Sequence, residues 1–213
     1  MIRSQLERLA EGLEDGPPPT LPVPSSALGS TRTRRGGQSQ GAVILGVRVH
    51  AGTPERRRAL AVLASLLDSQ SGRLFMDLRE ARGLAYGVWA TAQVSSVLPE
   101  GVLSLGLTMS PERASEARDA LVASWRLLLG HGVTVQEVDR TTRMLAGHAA
   151  MARERVAGRA RAAVHHIVGG QPLELKAFQD GLRGVDPSVL GSVLEELRAA
   201  PVRVAMALPR EEP

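Results

Sequence analysis

Five histidines, His50, His131, His148, His165 and His166, are the first side chains to test for metal or acid–base chemistry. A helix chelates a metal with two histidines three or four positions apart plus a carboxylate, and none of the five has that company. His165 and His166 are adjacent on an expected helix, so their rings point about 100° apart, which is wrong for joint chelation. They read as partly exposed helix histidines. The zinc patterns HExxH and HxxEH and the phosphate-loop patterns GxxxxGK and GxGxxG do not occur. Without cysteine, a disulfide scaffold and a thiolate-held zinc or iron–sulfur cluster are excluded.

Arg79 and Tyr86 are a different case. Tyr86 is the only tyrosine of the chain. Local periodicity places Arg79 in the last turn of a short helix over 71–82, which Gly83 ends, and Tyr86 three residues beyond on a strand over 84–94. Such a helix–glycine–strand corner can aim both side chains at one point near a cleft edge. A guanidinium always carries its charge and can hold a carbonyl through paired donors. A phenol O–H can donate to a developing oxyanion. The same residues have a plain structural reading: an arginine satisfying carbonyls near a helix end, and a strand tyrosine half in the core. Residue types alone leave both open.

The elements around them can be read in outline. Ile2, Leu6, Leu9 and Leu13 sit at helical spacing, followed by a connector that holds five of the 13 prolines. The stretch up to Gly37 is expected to be loop, so residues 1–37 form a leading helix and connector and residues 38–213 the compact domain. Ala42–His50 reads as a strand. Thr53 and Pro54 open a helix to about Asp68, with Leu60, Leu63, Ala64 and Leu67 inward. Gly101–Met109 alternates Leu103, Leu105, Leu107 and Met109 with smaller residues, as a half-buried strand does. A helix after Ser110-Pro111 carries the stripe Ala114, Ala117, Leu121, Trp125 and Leu128. Thr134 and Glu137 have capping-box spacing, and further helices are expected over 155–168, 172–182 and 187–199, the last capped by Asp186. Val202–Leu208 closes the chain as a strand. Strands 84–94 and 101–109 should form an antiparallel hairpin. The order, lacking βαβ alternation, predicts an α+β fold of antiparallel β-sheet packed against helices.

The chain has 213 residues, a formal charge of +4 and a pI of about 10.7. A basic balance invites a nucleic-acid reading, and the details argue against it. Lys176 is the only lysine, the densest basic runs (Arg32–Arg34–Arg35 and Arg56–Arg57–Arg58) hold three arginines each, and five aromatics are too few for base stacking. No apolar run reaches the 18 residues of a membrane span, and residues 1–20 do not resemble a signal peptide. A soluble chain of a bacterial cytoplasm or periplasm is expected.

One segment carries more information than the rest. Residues 71–88, SGRLFMDLREARGLAYGV, closely resemble the SxRLFxxLRExxGLAYxV stretch of the pitrilysin/insulinase peptidases, which include mitochondrial processing peptidase. The preceding strand and helix agree with that family, as does Gly-Val-Thr-x-x-Glu at 132–137. The resemblance runs from about Leu6 to Leu208. It implies one half of a clamshell that closes on a peptide. In active members one half carries HxxEH and binds zinc; the other lacks metal ligands and supplies an arginine and a tyrosine seven residues apart.

This chain lacks HxxEH and has Arg79 and Tyr86 in that relation, so it resembles the C-terminal, non-zinc half. The resemblance implies that Arg79 positions a peptide substrate and Tyr86 stabilises the oxyanion, with zinc in the partner half and no cofactor or metal in this chain. Alone, such a half should cleave nothing. The rival expectation is a catalytically inactive structural or peptide-binding homologue. Gly72 and Gly87 stand where many relatives have serine, which is expected to loosen the loops. Arg73 and Arg82 are expected at the surface, paired with Asp77, Glu80 or solvent, and Trp89 and Trp125 as packing residues.

Overall fold

A computed structural model describes residues 32–95 and 98–210. The helix expected over 2–13 and the proline-rich connector lie outside the described residues.

Alternation along the strands sets the core. In β2 (Gly41–His50) Val43, Leu45, Val47 and Val49 share one face and are buried. In β4 (Glu100–Met109) Leu103, Leu105, Leu107 and Met109 do the same, each at 0% exposure. The helix α1 (Pro54–Asp68) starts where the Thr53 hydroxyl accepts from the Arg56 amide at 3.2 Å, with Pro54 in the first position. β3 (Gly87–Val94) pairs antiparallel with β4, from Gly87↔Thr108 to Val94↔Gly101. A single 3₁₀ turn, Pro111–Arg113, leads into α2 (Ala114–His131), whose expected stripe is buried throughout.

The capping box forms as read. The Glu137 amide donates to the Thr134 hydroxyl, the Thr134 amide donates to the Glu137 carboxylate at 2.8 Å, and α3 (Val135–Glu154) follows. Next come α4 (Val156–Gly169), α5 (Leu175–Arg183) and α6 (Pro187–Ala199), the last capped by the Asp186 carboxylate. β5 (Val202–Pro209) is the last element among the described residues.

With a further strand, β1 (Arg32–Gly36), at one edge, the sheet has the order β1-β5-β2-β4-β3. β2 lies antiparallel to both β4 and β5. The helices cover the face that carries Leu45 and Leu105, making a two-layer α+β domain with its core between sheet and helices. On the opposite face Trp89 lies across Gly106, its register partner, where a Cβ would stand 2.2 Å from the indole.

Two local expectations need correction. Arg32–Gly36, expected as loop, forms β1, parallel to β5 from Arg32↔Ala205 to Gly36↔Pro209. An edge strand gains its stability from main-chain pairing and needs no apolar face, so apolar alternation could not reveal it. The short helix is π-helical over Phe75–Ala81. It differs from an ordinary helical end in carrying an extra residue per turn, a form frequent at functional sites.

Candidate functional site

The site is built on the junction between that π turn and β3. Leu74 and Leu78 are buried and anchor the turn in the core, and Leu84 and Ala85 anchor the exit. The Arg82 amide donates to the Asp77 carbonyl, five residues back, at 3.1 Å. Gly83 then takes φ +54°, the left-handed conformation that glycine adopts without strain. Its amide donates to the Arg79 carbonyl at 3.1 Å, and the amides of Leu84 and Ala85 both donate to the Leu78 carbonyl. The Tyr86 amide donates to the Thr108 carbonyl at 2.8 Å, which starts the β3–β4 ladder. Five residues, 82–86, therefore separate helix from sheet, and each of their N–H groups is satisfied.

Arg79 and Tyr86 stand on either side of this corner, and both side chains are exposed, Tyr86 at 55%. Of the two readings that the sequence left open, a core role for the Tyr86 ring does not hold. Arg79 lies over the Phe75 ring, 5.2 Å from its centroid, a cation–π contact that orients the guanidinium without neutralising it.

Four arginines surround the corner, and three are committed. Arg82 pairs with Asp77 at 2.8 Å, as expected. Arg113 forks onto Glu116. Arg73, expected to pair within its helix or with solvent, instead forks onto Glu137 of α3, at 2.6 and 2.7 Å. Neither Asp77 nor Glu80 holds it, because the carboxylate of the α3 capping box lies opposite. Only Arg79, among these four, makes no ion pair with the described residues. Asp77 is braced from a second side by the Ser124 hydroxyl at 2.7 Å.

Gly72 also departs from its expected role. A Cβ there would stand 2.6–2.8 Å from the carbonyl oxygens of Leu66, Leu67 and Ser69, so glycine permits a close approach and does not serve to loosen the segment. At Gly87 a Cβ would meet only the Thr108 hydroxyl, at 3.6 Å.

Other candidates fall away. Among the described residues no group of three or more His, Cys, Asp or Glu side chains could hold a metal ion, so the side chains present do not fit a zinc site. The His166 ring contacts the Gln171 carbonyl, and His50 lies 3.7 Å from Glu100. Gly37–Gly41 matches the letters of the nucleophile-elbow pattern GxSxG. It joins β1 to β2, whereas an elbow joins a strand to a helix, so it is a connection between strands.

The sequence profile of the peptidase M16 inactive domain matches residues 1–145, which include Arg79, Tyr86 and Glu137. The chain belongs to the peptidase M16 inactive-domain family. A protein of Mycobacterium leprae named an uncharacterized zinc protease is 34% identical over 96 residues, 45% of this chain and 21% of that protein. A protease from Helicobacter pylori superposes with a TM-score of 0.77 at 19% identity, over 98% of this chain and 52% of its own. The peptidase M16 inactive domain from Pseudomonas fluorescens gives 0.73 at 21% identity, over 99% and 53%. At these identities the superpositions establish the M16 inactive-domain fold. The chain spans about half the length of those two solved structures. Among the described residues no helix is long and apolar enough to cross a membrane.

Proposed function

We propose that this M16 inactive domain is the substrate-binding, non-zinc half of a pitrilysin-type metallopeptidase. Arg79 positions the peptide and Tyr86 stabilises the oxyanion, while a partner half, on the same longer chain or on a separate subunit, carries HxxEH and zinc. The observation that carries this reading is the corner itself. Its one arginine without an ion pair among the described residues and the sole tyrosine of the chain are exposed on either side of a turn whose amides are all hydrogen-bonded.

The metal of the partner half supplies Lewis-acid activation. The residues of this chain do the rest of the positioning. The Arg79 guanidinium, oriented by Phe75 and free of carboxylates, offers paired N–H donors to a peptide carbonyl. The Tyr86 hydroxyl donates to the oxygen that gains charge as the carbonyl becomes tetrahedral, and a donor already in place costs no reorganisation at that moment. The buried anchors Leu78, Leu84 and Ala85 keep the two donors from drifting apart.

The test is reconstitution. The chain alone, the zinc-bearing half alone and their assembly are each offered quenched-fluorescent decapeptides of randomised sequence. The expected result is hydrolysis by the assembly only, with Arg79→Met in the assembly lowering kcat/KM at least tenfold. Equal turnover by the zinc-bearing half alone would remove this role. A natural partner that lacks HxxEH would favour the catalytically inactive, structural or peptide-binding homologue.

A further inference from the structure

Arg113 is the last residue of the 3₁₀ turn between β4 and α2, and its guanidinium reaches back across 30 positions of sequence to the corner. Nη1 donates to the Gly83 carbonyl at 2.9 Å. Nε and Nη2 fork onto the two oxygens of Glu116, at 2.9 Å each. The fork fixes the plane of the guanidinium, and with it the direction of the donor aimed at Gly83.

Gly83 is the pivot at which the chain turns from helix to strand. Its amide is held by the Arg79 carbonyl and its carbonyl by Arg113, so the peptide planes on both sides of the pivot are pinned. A Cβ at Gly83 would meet nothing within 4 Å. Between the buried anchors Leu78 and Leu84, these two hydrogen bonds hold the pivot residue itself. Glu116 favours the charged form of Arg113, and its own carboxyl is held below the ordinary carboxylate value by the same contact.

A stabilising role alone does not account for this arrangement. Exposed pairs three residues apart contribute little to folding, and this one is exposed on both sides. Arg56 and Arg198 also join a carboxylate to a backbone carbonyl; what distinguishes Arg113 is that its carbonyl belongs to a left-handed residue between Arg79 and Tyr86. We infer that Arg113 is a positioning residue: held by Glu116, it fixes the Gly83 pivot and so the reach of the Tyr86 hydroxyl toward the substrate oxyanion. The inference rests on the reading of Arg79 and Tyr86 given above.

The experiment uses the assembled peptidase with randomised quenched-fluorescent decapeptides and the variants Arg113→Met, Arg113→Lys, Tyr86→Phe and the Met/Phe double variant. Arg113→Met is expected to lower kcat at least tenfold with KM within threefold, and to leave Tm within about 3 °C of the parent. Amide hydrogen exchange over residues 84–86 should accelerate at least tenfold. Arg113→Lys, which restores one donor without the fork, should recover part of kcat. On a Tyr86→Phe background Arg113→Met should cost less than threefold, because a residue that acts through Tyr86 has nothing left to position.

Full kcat and unchanged exchange in Arg113→Met, with Tyr86→Phe impaired, would overturn the inference and leave the reading of the pair intact. Equal losses on both backgrounds would overturn it as well. Full activity in Tyr86→Phe would remove the reading on which it rests, whatever Arg113 does.

Discussion

Arg73 and Glu137, 64 positions apart in sequence, meet in a two-pronged ion pair, Nε to Oε1 at 2.6 Å and Nη2 to Oε2 at 2.7 Å. The same carboxylate accepts from the Thr134 amide and hydroxyl, so one side chain caps α3 and clamps the entry to the π turn. Arg140, one turn further along α3, donates to the Ser71 carbonyl at 3.1 Å. The segment bearing Arg79 is thus tied to α3 where it begins, to Ser124 of α2 at Asp77, and to Arg113 where it ends. The exposed corner stands on a braced base.

This clamp makes stability depend on acid pH in a defined direction. The fork from Arg73, with the capping bonds of Thr134, holds the Glu137 carboxyl at about 2, below its ordinary 4.5. A carboxyl depressed in the folded state contributes in full above about pH 4.5 and loses that contribution as pH falls toward 2. Glu137→Gln should therefore cost roughly 2 kcal/mol at pH 7, allowing for partial exposure. Urea unfolding of both proteins across pH should show the gap narrowing below pH 4.5 and closing near pH 2. A gap constant from pH 7 to 2 would contradict the assignment.

The two glycines of the motif should respond differently to a side chain. At Gly72 a Cβ meets three backbone oxygens under 3 Å away, which only backbone movement can relieve, so Gly72→Ala should destabilise by about 1–3 kcal/mol, the range for overpacking. Gly87→Ser meets ordinary contact distances and should fall within about 0.5 kcal/mol of the parent, as surface changes do. Thermal unfolding of the two variants side by side checks the contrast. Equal shifts would mean that the close approach at Gly72 is relieved without cost.

Gly83 tests geometry separately from stability. Alanine there has open space but must adopt φ +54°, at a cost of about 1–2 kcal/mol. If the corner aims Arg79 and Tyr86, Gly83→Ala should lower kcat/KM by more than tenfold in the assembled peptidase at temperatures where it remains folded. Gly83→Asn, which tolerates the left-handed region better, should lie between alanine and the parent. Parent-like kcat/KM in the alanine variant would show that the aim of the corner is not limiting.

Much of this fold was legible because its signals are local. The alternation of Leu103, Leu105, Leu107 and Met109, the stripe through Leu121 and Trp125, and the caps at Thr53, Thr134 and Asp186 each depend on residues a few positions apart. The corner was legible for the same reason, since Gly83 lies between its two arms. What escaped were pairings decided by the tertiary fold. β1 carries no apolar alternation and forms because β5 offers an open edge. Glu137 was read correctly as a cap, but its second partner, Arg73, lies outside any local window. Arg113 gave no signal either, since an arginine three residues before a glutamate is common on helices and its bond to Gly83 exists only once β4 is in place.

The most direct measurement is the single-turnover rate of Tyr86→Phe in the assembled peptidase. The substitution removes one hydroxyl from an exposed ring and leaves the backbone bond to Thr108 in place, so folding and assembly should be unchanged. Loss of one oxyanion donor predicts a fall of about 10²–10³ in the rate of the chemical step, with peptide affinity within threefold. A rate within twofold of the parent, with assembly intact, would contradict the proposed role of Tyr86.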